Sequence, residues 1–114
     1  MKTIATDELK ALHADRRGLL LINTLDESHF ESSRILDALN VPESKDDFVD
    51  RIEGIAGSKN RPIVVYCDSS ECQSSTRAAE KLDAAGFQEV YDYDGGMRAW
   101  KQEIEPFDAP ALKP

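Results

Sequence analysis

The stretch that decides the fold is Pro62-Ile63-Val64-Val65-Tyr66-Cys67, a run of β-branched and aromatic residues that ends in a cysteine. Such residues favour strands, and a run that is apolar on both faces is typical of a strand buried inside a parallel sheet. The turn-forming residues 57–60 precede the run and a polar loop follows it. The pattern therefore predicts a strand over residues 62–67.

Segments of strand and helix alternate on either side of this run. Two further strands and a short extended piece are predicted, at residues 19–23, 89–93 and 39–42. The helical segments share apolar residues at a spacing of three or four, and they are predicted at residues 6–14, 46–55, 75–85 and, as a short helix, after Gly95-Gly96. A loop or helical turn is predicted over residues 26–31. This alternation predicts an α/β domain, with a small, mostly parallel central sheet and helices on both faces.

Length and composition describe one compact domain. The 114 residues are 40% apolar and 32% charged, as in ordinary globular proteins. We expect the domain to span residues 1–105 and the proline-bearing residues 106–114 to form a flexible tail. No apolar run approaches the roughly 20 residues that cross a bilayer, and the N-terminal residues do not have the pattern of a secretory signal. We therefore expect a cytoplasmic protein that is not membrane-associated.

The charge and the cysteines narrow the function further. A net charge of −8 argues against a nucleic-acid partner, because binding there depends on cations that neutralise phosphates. His13 and His29 form no closely spaced ligand pair with Cys67 and Cys72, so no metal site is predicted. In the cytoplasm, two such cysteines are more typical of free thiols than of a structural disulfide.

The position of Cys67 is the strongest indication of function from the residues alone. Sites in parallel sheets form at the C-terminal ends of strands, and Cys67 ends the strand predicted most clearly. Loop amides and the N-terminus of the following helix lower a thiol's pKa and stabilise a persulfide or a bound oxyanion. The alternative is that Cys67 is a small buried residue with a structural role, since free cysteines are often buried.

Three ordered segments resemble the rhodanese homology domain. They are Ile63-Val64-Val65-Tyr66-Cys67, the helix at residues 77–82 with Ala85-Gly86-Phe87, and Tyr93-Asp94-Gly95-Gly96-Met97-Arg98-Ala99-Trp100. Residues 19–25, Phe30 and Ala38-Leu39-Asn40-Val41-Pro42 resemble the family's first strand and its Ala-Ile-Asn-Ile-Pro segment. The resemblance therefore covers nearly the whole chain, in order.

This resemblance implies a rhodanese-type sulfurtransferase or sulfur carrier. Cys67 would attack the outer sulfur of a donor such as thiosulfate, hold it as a persulfide, and pass it to cyanide or a thiol. The implied partners are a small sulfur donor or a thiol-bearing protein, and no metal or organic cofactor is implied. The residues that would supply amide and side-chain contacts to the substrate follow Cys67: Asp68, Ser69, Ser70, Glu71, Gln73, Ser74 and Ser75.

The chain departs from the family pattern around this loop. Family loops usually contain a glycine and often an arginine, whereas this loop has neither and carries Asp68 and Glu71, which oppose a thiolate. Asn23 and Leu25 replace the usual Asp and Arg after the first strand, and residues 33–37 replace the usual Gly-His-Ile-Pro-Gly. We expect these departures to weaken the turnover of thiosulfate.

Three arginines are the candidates to support an anion in place of the missing loop arginine: Arg34, Arg77 and Arg98. A solvated surface position is the alternative for each of them. Rhodanese-like phosphatases use Cys-x5-Arg to hold a dianion, and the corresponding residue after Cys67 is Gln73. Phosphoryl transfer is therefore excluded, because its bidentate cation is absent.

Cys72 leaves two further interpretations open. It is predicted near the N-terminus of the long helix, where it can resolve a Cys67 persulfide or sulfenate as a disulfide and so act in redox sensing. It can also be the primary nucleophile, although an amide cradle wraps only a cysteine that precedes the loop, which favours Cys67. A catalytically weak binding or regulatory module is the third possibility.

Overall fold

The computed structural model describes residues 1–15, 18–69 and 71–103, so the tail predicted at 106–114 lies outside the described residues. Over these residues the chain forms five strands and five helices, in the order β1 (Lys2–Ile4), α1 (Thr6–Asp15), β2 (Leu20–Asn23), α2 (Glu27–Ser33), β3 (Leu39–Asn40), α3 (Phe48–Ala56), β4 (Ile63–Tyr66), α4 (Ser74–Ala84), β5 (Val90–Tyr93) and α5 (Gly96–Glu103). None of these helices is long and apolar enough to cross a membrane.

The described strands form one sheet in the order β1-β5-β4-β2-β3, and every neighbouring pair is parallel. β4 lies at the centre, and its last residue, Tyr66, is in register with Asn23 of β2 and Tyr93 of β5. The predicted parallel α/β architecture is confirmed. Because the three strands run in the same direction, the loops that follow them meet at one edge of the sheet, next to Cys67.

Alternate residues of β4 divide the core between the two faces of the sheet. Ile63 and Val65 pack with Leu82 of α4 and other residues on one face. Val64 and Tyr66 pack on the other face in a cluster that includes Trp100 of α5. Complete burial of such apolar side chains contributes about 1.5–3 kcal/mol each, so both helical layers are fixed by the same short strand.

Two elements differ from the sequence prediction. β1 was not predicted, because Lys2 and Thr3 are exposed, only Ile4 is buried, and three residues are too few to show a period. Its place in the sheet comes from pairing with β5, which is almost ninety positions away in the chain. α2 is a complete helix where a loop or helical turn was expected, although its residues are mostly polar.

Candidate functional site

Cys67 follows β4 directly, at the C-terminal edge of the sheet, and begins a loop that we call the thiol loop (residues 67–75). Its side chain is fully buried, at 0% exposure. The Cys67 sulfur lies 3.4 Å from the Cys72 carbonyl oxygen and 3.6 Å from the Ser75 hydroxyl. Burial raises the pKa of Cys67 and so does the hydrogen bond it donates to the Cys72 side chain, and the opposing contacts from Ser75 and Ser74 do not outweigh them. Cys67 is therefore held as a neutral thiol.

Cys72 lies five positions further along, half-buried and free. Its sulfur is 3.3 Å from the Ser74 hydroxyl. Burial alone would raise the pKa of Cys72, but hydrogen bonds from the Cys67 thiol, from the Ser74 hydroxyl and amide, and from the Asp68 amide outweigh it and lower the pKa. The surroundings of Cys72 therefore favour a thiolate.

The N-terminus of α5 holds one side of the thiol loop through the backbone. The Met97 amide donates to the Cys67 carbonyl oxygen (2.9 Å) and the Arg98 amide to the Asp68 carbonyl oxygen (2.7 Å). This close approach requires a glycine at position 96, where φ is +61° and a Cβ would overlap the Cys67 carbonyl oxygen. The Gly-Gly turn is therefore what lets a helix end meet the loop, and Arg98 contributes its backbone amide there.

The loop after β2 holds the other side of the thiol loop through hydroxyl groups. Thr24 donates its amide to the Tyr66 carbonyl oxygen (3.0 Å), and its hydroxyl lies 3.1 Å from the same oxygen. The same hydroxyl lies 2.8 Å from that of Ser74, which in turn contacts the Cys72 sulfur. A continuous row of polar groups therefore links the end of β4 to Cys72.

A cleft of about 320 Å³ opens above Cys72. It is lined by Thr24, Leu25, Asp26, His29, Glu43, Ser44, Cys72, Gln73, Ser74 and Arg77. A second cleft of about 230 Å³ shares Leu25 and His29 with it and is completed by Ser32, Ser33 and Asp68. Cys67 lines neither cleft, so a ligand in this region meets Cys72 first.

The charges of the larger cleft are largely neutralised within the protein. Glu43 is 5% exposed and accepts hydrogen bonds from Arg77 Nε (3.1 Å) and Lys81 Nζ (2.8 Å). Burial would raise the pKa of Glu43, but the hydrogen bonds and charges of Lys81 and Arg77 lower it, so Glu43 is ionised. The cleft lining therefore carries two carboxylates, Asp26 and Glu43, against the single guanidinium of Arg77.

The other residues predicted from sequence lie around this centre. Ser69 is buried and its carbonyl oxygen accepts the Cys72 amide (3.0 Å), whereas Asp68, Glu71 and Gln73 are exposed. Ser70 lies outside the described residues. Arg34 is not brought to the larger cleft; it pairs with Glu31 (3.6 Å), and its guanidinium lies 4.5 Å from the centre of the Phe30 ring.

Two buried polar side chains fix the wall formed by α2. Asn23, which replaces the family's usual Asp, donates to the Ser33 carbonyl oxygen (3.1 Å) and accepts from the Leu25 amide (2.9 Å). The Tyr66 hydroxyl donates to the same Ser33 carbonyl (2.7 Å) and accepts from the Ile35 amide (3.2 Å). Burial raises the pKa of Tyr66 to about 12, so this hydroxyl remains a donor.

Sequence reasoning missed the part of the cleft lining that lies before the thiol loop in the chain, which includes Thr24, His29 and Glu43. Thr24 had a usable signal, because it follows a buried strand at the edge where sites form. Glu43 had none, since its burial depends on cations 34 and 38 positions away.

The fold and the ordered motifs agree with a comparison against protein families. A family model described as "Rhodanese-like domain" matches residues 5–103. The chain belongs to the rhodanese-like family. This assignment confirms the resemblance read from the strand-Cys, Ala-Ala and Gly-Gly-x-x-Ala-Trp segments.

Individual relatives support the family assignment. The chain is 33% identical over 105 residues to protein YqhL of Bacillus subtilis, covering 92% of this chain and 76% of the relative. It is 32% identical over 101 residues to a protein named thiosulfate sulfurtransferase GlpE from Pseudomonas syringae, covering 88% and 87%. A crystal structure of a thiosulfate sulfurtransferase from Pseudomonas aeruginosa matches with a TM-score of 0.77 and 26% identity, covering 90% of this chain but 19% of that longer chain. Sulfurtransferase activity is thus supported at the level of the family.

Proposed function

We propose that the protein is a rhodanese-type sulfurtransferase or sulfur carrier that holds sulfane sulfur as a persulfide in the thiol loop and passes it to a thiol or to cyanide. The observation that carries the proposal is the pair of free thiols at the C-terminal edge of the parallel sheet, beside a cleft and among amide and hydroxyl donors. The family and its relatives named thiosulfate sulfurtransferase support it.

The chemistry uses only the thiol loop and the donor. A thiolate attacks the outer sulfur of the donor, the remainder of the donor leaves, and a persulfide anion forms on the cysteine. The Ser74 hydroxyl and amide and the Asp68 amide are placed to stabilise negative charge at Cys72. The sequence prediction that Cys67 carries the persulfide stays a prediction.

The charges of the larger cleft indicate which class of sulfur donor the protein accepts. Thiosulfate is a dianion, and it would approach two carboxylates and a guanidinium that is already paired with Glu43. Because Arg77 and Lys81 are both paired with Glu43, the described part of the cleft lining offers a dianion no unpaired guanidinium or ammonium group, whereas an uncharged or protein-borne persulfide does not need one. We therefore propose a small thiol persulfide or a thiol-bearing protein as the partner. A reducing compartment such as the cytoplasm would keep both cysteines as free thiols.

A second candidate function is redox sensing. It is favoured by the hydrogen bond between the Cys67 and Cys72 thiols, because oxidation of one thiol would place it beside a resolving partner. In this case the protein would form a disulfide with peroxide and would take no sulfur from donors.

Sulfurtransferase activity and redox sensing are distinguished by measuring where the sulfur of the donor goes. The reduced protein is incubated with thiosulfate or with glutathione persulfide, with and without cyanide, and sulfite, glutathione and thiocyanate are quantified. We expect about one equivalent of donor to be cleaved per chain without an acceptor, and thiocyanate to form when cyanide is present. The double variant Cys67→Ser/Cys72→Ser is the control. Failure to cleave either donor would overturn the proposal; a peroxide-induced disulfide would then support redox sensing, and unreactive thiols a binding module.

A further inference from the structure

Resting on the proposed sulfur transfer, we propose that Cys72 is the thiol that attacks the donor and that Cys67 is a resolving thiol, which discharges the bound sulfur as sulfide and leaves a Cys67–Cys72 disulfide. This assignment differs from the sequence prediction, in which Cys67 attacks the donor. It gives the protein a second product, free sulfide, in addition to the sulfur it passes to an acceptor.

Accessibility separates the roles of the two thiols. An attacking sulfur must be reached by the outer sulfur of the donor, and Cys72 is half-buried and borders the 320 Å³ cleft. Cys67 is fully buried, and its sulfur is enclosed by the Ser69 and Cys72 carbonyl oxygens and the Ser75 hydroxyl. For a donor in the cleft, contact with Cys72 requires no rearrangement, whereas contact with Cys67 requires the thiol loop to open.

The hydrogen-bond pattern agrees with these roles. The hydrogen bond between the two thiols lowers the pKa of Cys72 and raises that of Cys67, so ionisation of the pair is favoured at Cys72. The Ser74 hydroxyl, 3.3 Å from the same sulfur, stabilises that charge further. Negative charge at Cys72 is therefore favoured over negative charge at Cys67 before the donor arrives.

Proximity makes Cys67 suitable for the second step. The Cys72 amide donates to the Ser69 carbonyl oxygen (3.0 Å), which folds the thiol loop back on itself. The fold brings the Cys67 sulfur within 3.4 Å of the Cys72 carbonyl oxygen and into hydrogen-bond contact with the Cys72 side chain. A disulfide requires the two sulfurs to approach to about 2.05 Å, and the folded loop favours that approach.

The steps balance in atoms and electrons. The Cys72 thiolate forms a bond to the outer sulfur of thiosulfate, the sulfur–sulfur bond of thiosulfate breaks, and sulfite leaves with the electron pair. The Cys67 proton then passes to the outer sulfur of the persulfide. The Cys67 sulfur bonds to the Cys72 sulfur, the persulfide bond breaks, and HS⁻ leaves. Two thiols are oxidised and the sulfane sulfur is reduced; an external dithiol reductant then restores the thiols.

The test compares the wild-type protein with Cys67→Ser and Cys72→Ser, each incubated with glutathione persulfide without acceptor. Sulfide is trapped with monobromobimane, and the site of added sulfur is located by peptide mass spectrometry. We expect the wild type to release about one equivalent of sulfide and form the disulfide, and Cys67→Ser to accumulate the persulfide on Cys72 with at least a tenfold loss of sulfide. We expect Cys72→Ser to take up little sulfur.

A measurement on the unchanged protein guards against variants that fail to fold. Limited alkylation of the reduced wild type with iodoacetamide near neutral pH is expected to label Cys72 at least about tenfold faster than Cys67. Donor cleavage by the Cys72→Ser protein at the wild-type rate with the sulfur retained on Cys67, or faster alkylation of Cys67, would overturn this inference and leave the proposed sulfurtransferase in place. Absence of donor cleavage in the wild type would overturn both.

Discussion

The two sides of the thiol loop are held in opposite ways. On the α5 side, backbone amides donate hydrogen bonds to the Cys67 and Asp68 carbonyl oxygens. The approach is so close that only a glycine fits at position 96. On the cleft side, the contacts come from side chains, the hydroxyls of Thr24 and Ser74, and they border about 320 Å³ of open space. We infer that the packed side fixes the position of the thiol loop, whereas the open side determines the reactivity of its thiols.

The largest loss of stability is expected from Gly96→Ala, which disrupts the packed side of the thiol loop. The new Cβ would overlap the Cys67 carbonyl oxygen in a backbone conformation with φ of +61°. We expect the free energy of unfolding in urea to fall by roughly 3 kcal/mol. Gly57→Ala is the matched control, because Gly57 has φ of +75° but no atom within 4 Å of the added Cβ, and we expect a loss of about 1 kcal/mol there. Equal losses would show that backbone strain alone, and not the close approach of α5, is being measured.

The next largest loss of stability is expected from Glu43→Gln, which removes a charge from the wall of the open side. Glu43 accepts hydrogen bonds from Arg77 and Lys81, whose side chains are half exposed, so we expect a loss of about 1 kcal/mol at neutral pH. The pKa of Glu43 is lowered in the folded state, so its contribution is present above the ordinary value of 4.5 and is lost as the pH falls through the folded pKa. Urea titrations from pH 7 to pH 3 should therefore show the two proteins converging in acid.

A control and a second readout accompany this change. Glu53→Gln removes an exposed pair with Lys59 and should change stability by less than about 0.5 kcal/mol. Glu43→Gln should also speed cleavage of thiosulfate relative to glutathione persulfide, because it removes a negative charge and frees Arg77. A wider stability gap in acid than at pH 7 would contradict the ionised pair.

The smallest effect is expected from Ser74→Ala, which removes one donor to the Cys72 sulfur. The pKa of Cys72 should rise, and its alkylation by iodoacetamide near neutral pH should slow by roughly threefold, the worth of one hydrogen bond. Ser75→Ala is the comparison, since the Ser75 hydroxyl lies 3.6 Å from Cys67. If both variants slow Cys72 equally, Ser74 acts through the shape of the loop and not through its hydroxyl.

The central elements of this fold could be predicted because their signal is local. β4 and α4 show strong patterns within a dozen residues, and the cysteine at the end of β4 marks the site edge. β1 could not be predicted because it is three residues long and gains its place only by pairing with β5. The contacts of the open side could not be predicted either, because Thr24 and Ser74 are 50 positions apart in the chain. The ordered segments identified the family but gave no hint that Cys72 borders the cleft and Cys67 does not.

The Tyr66 hydroxyl has a consequence for how the site is built. The residue that precedes Cys67 in the chain also fastens the end of α2, through the Ser33 carbonyl oxygen and the Ile35 amide. One side chain of the innermost strand therefore joins the floor under the thiols to the wall beside them. Because these contacts involve none of residues 68–73, we expect changes in that part of the thiol loop to leave the α2 wall in place.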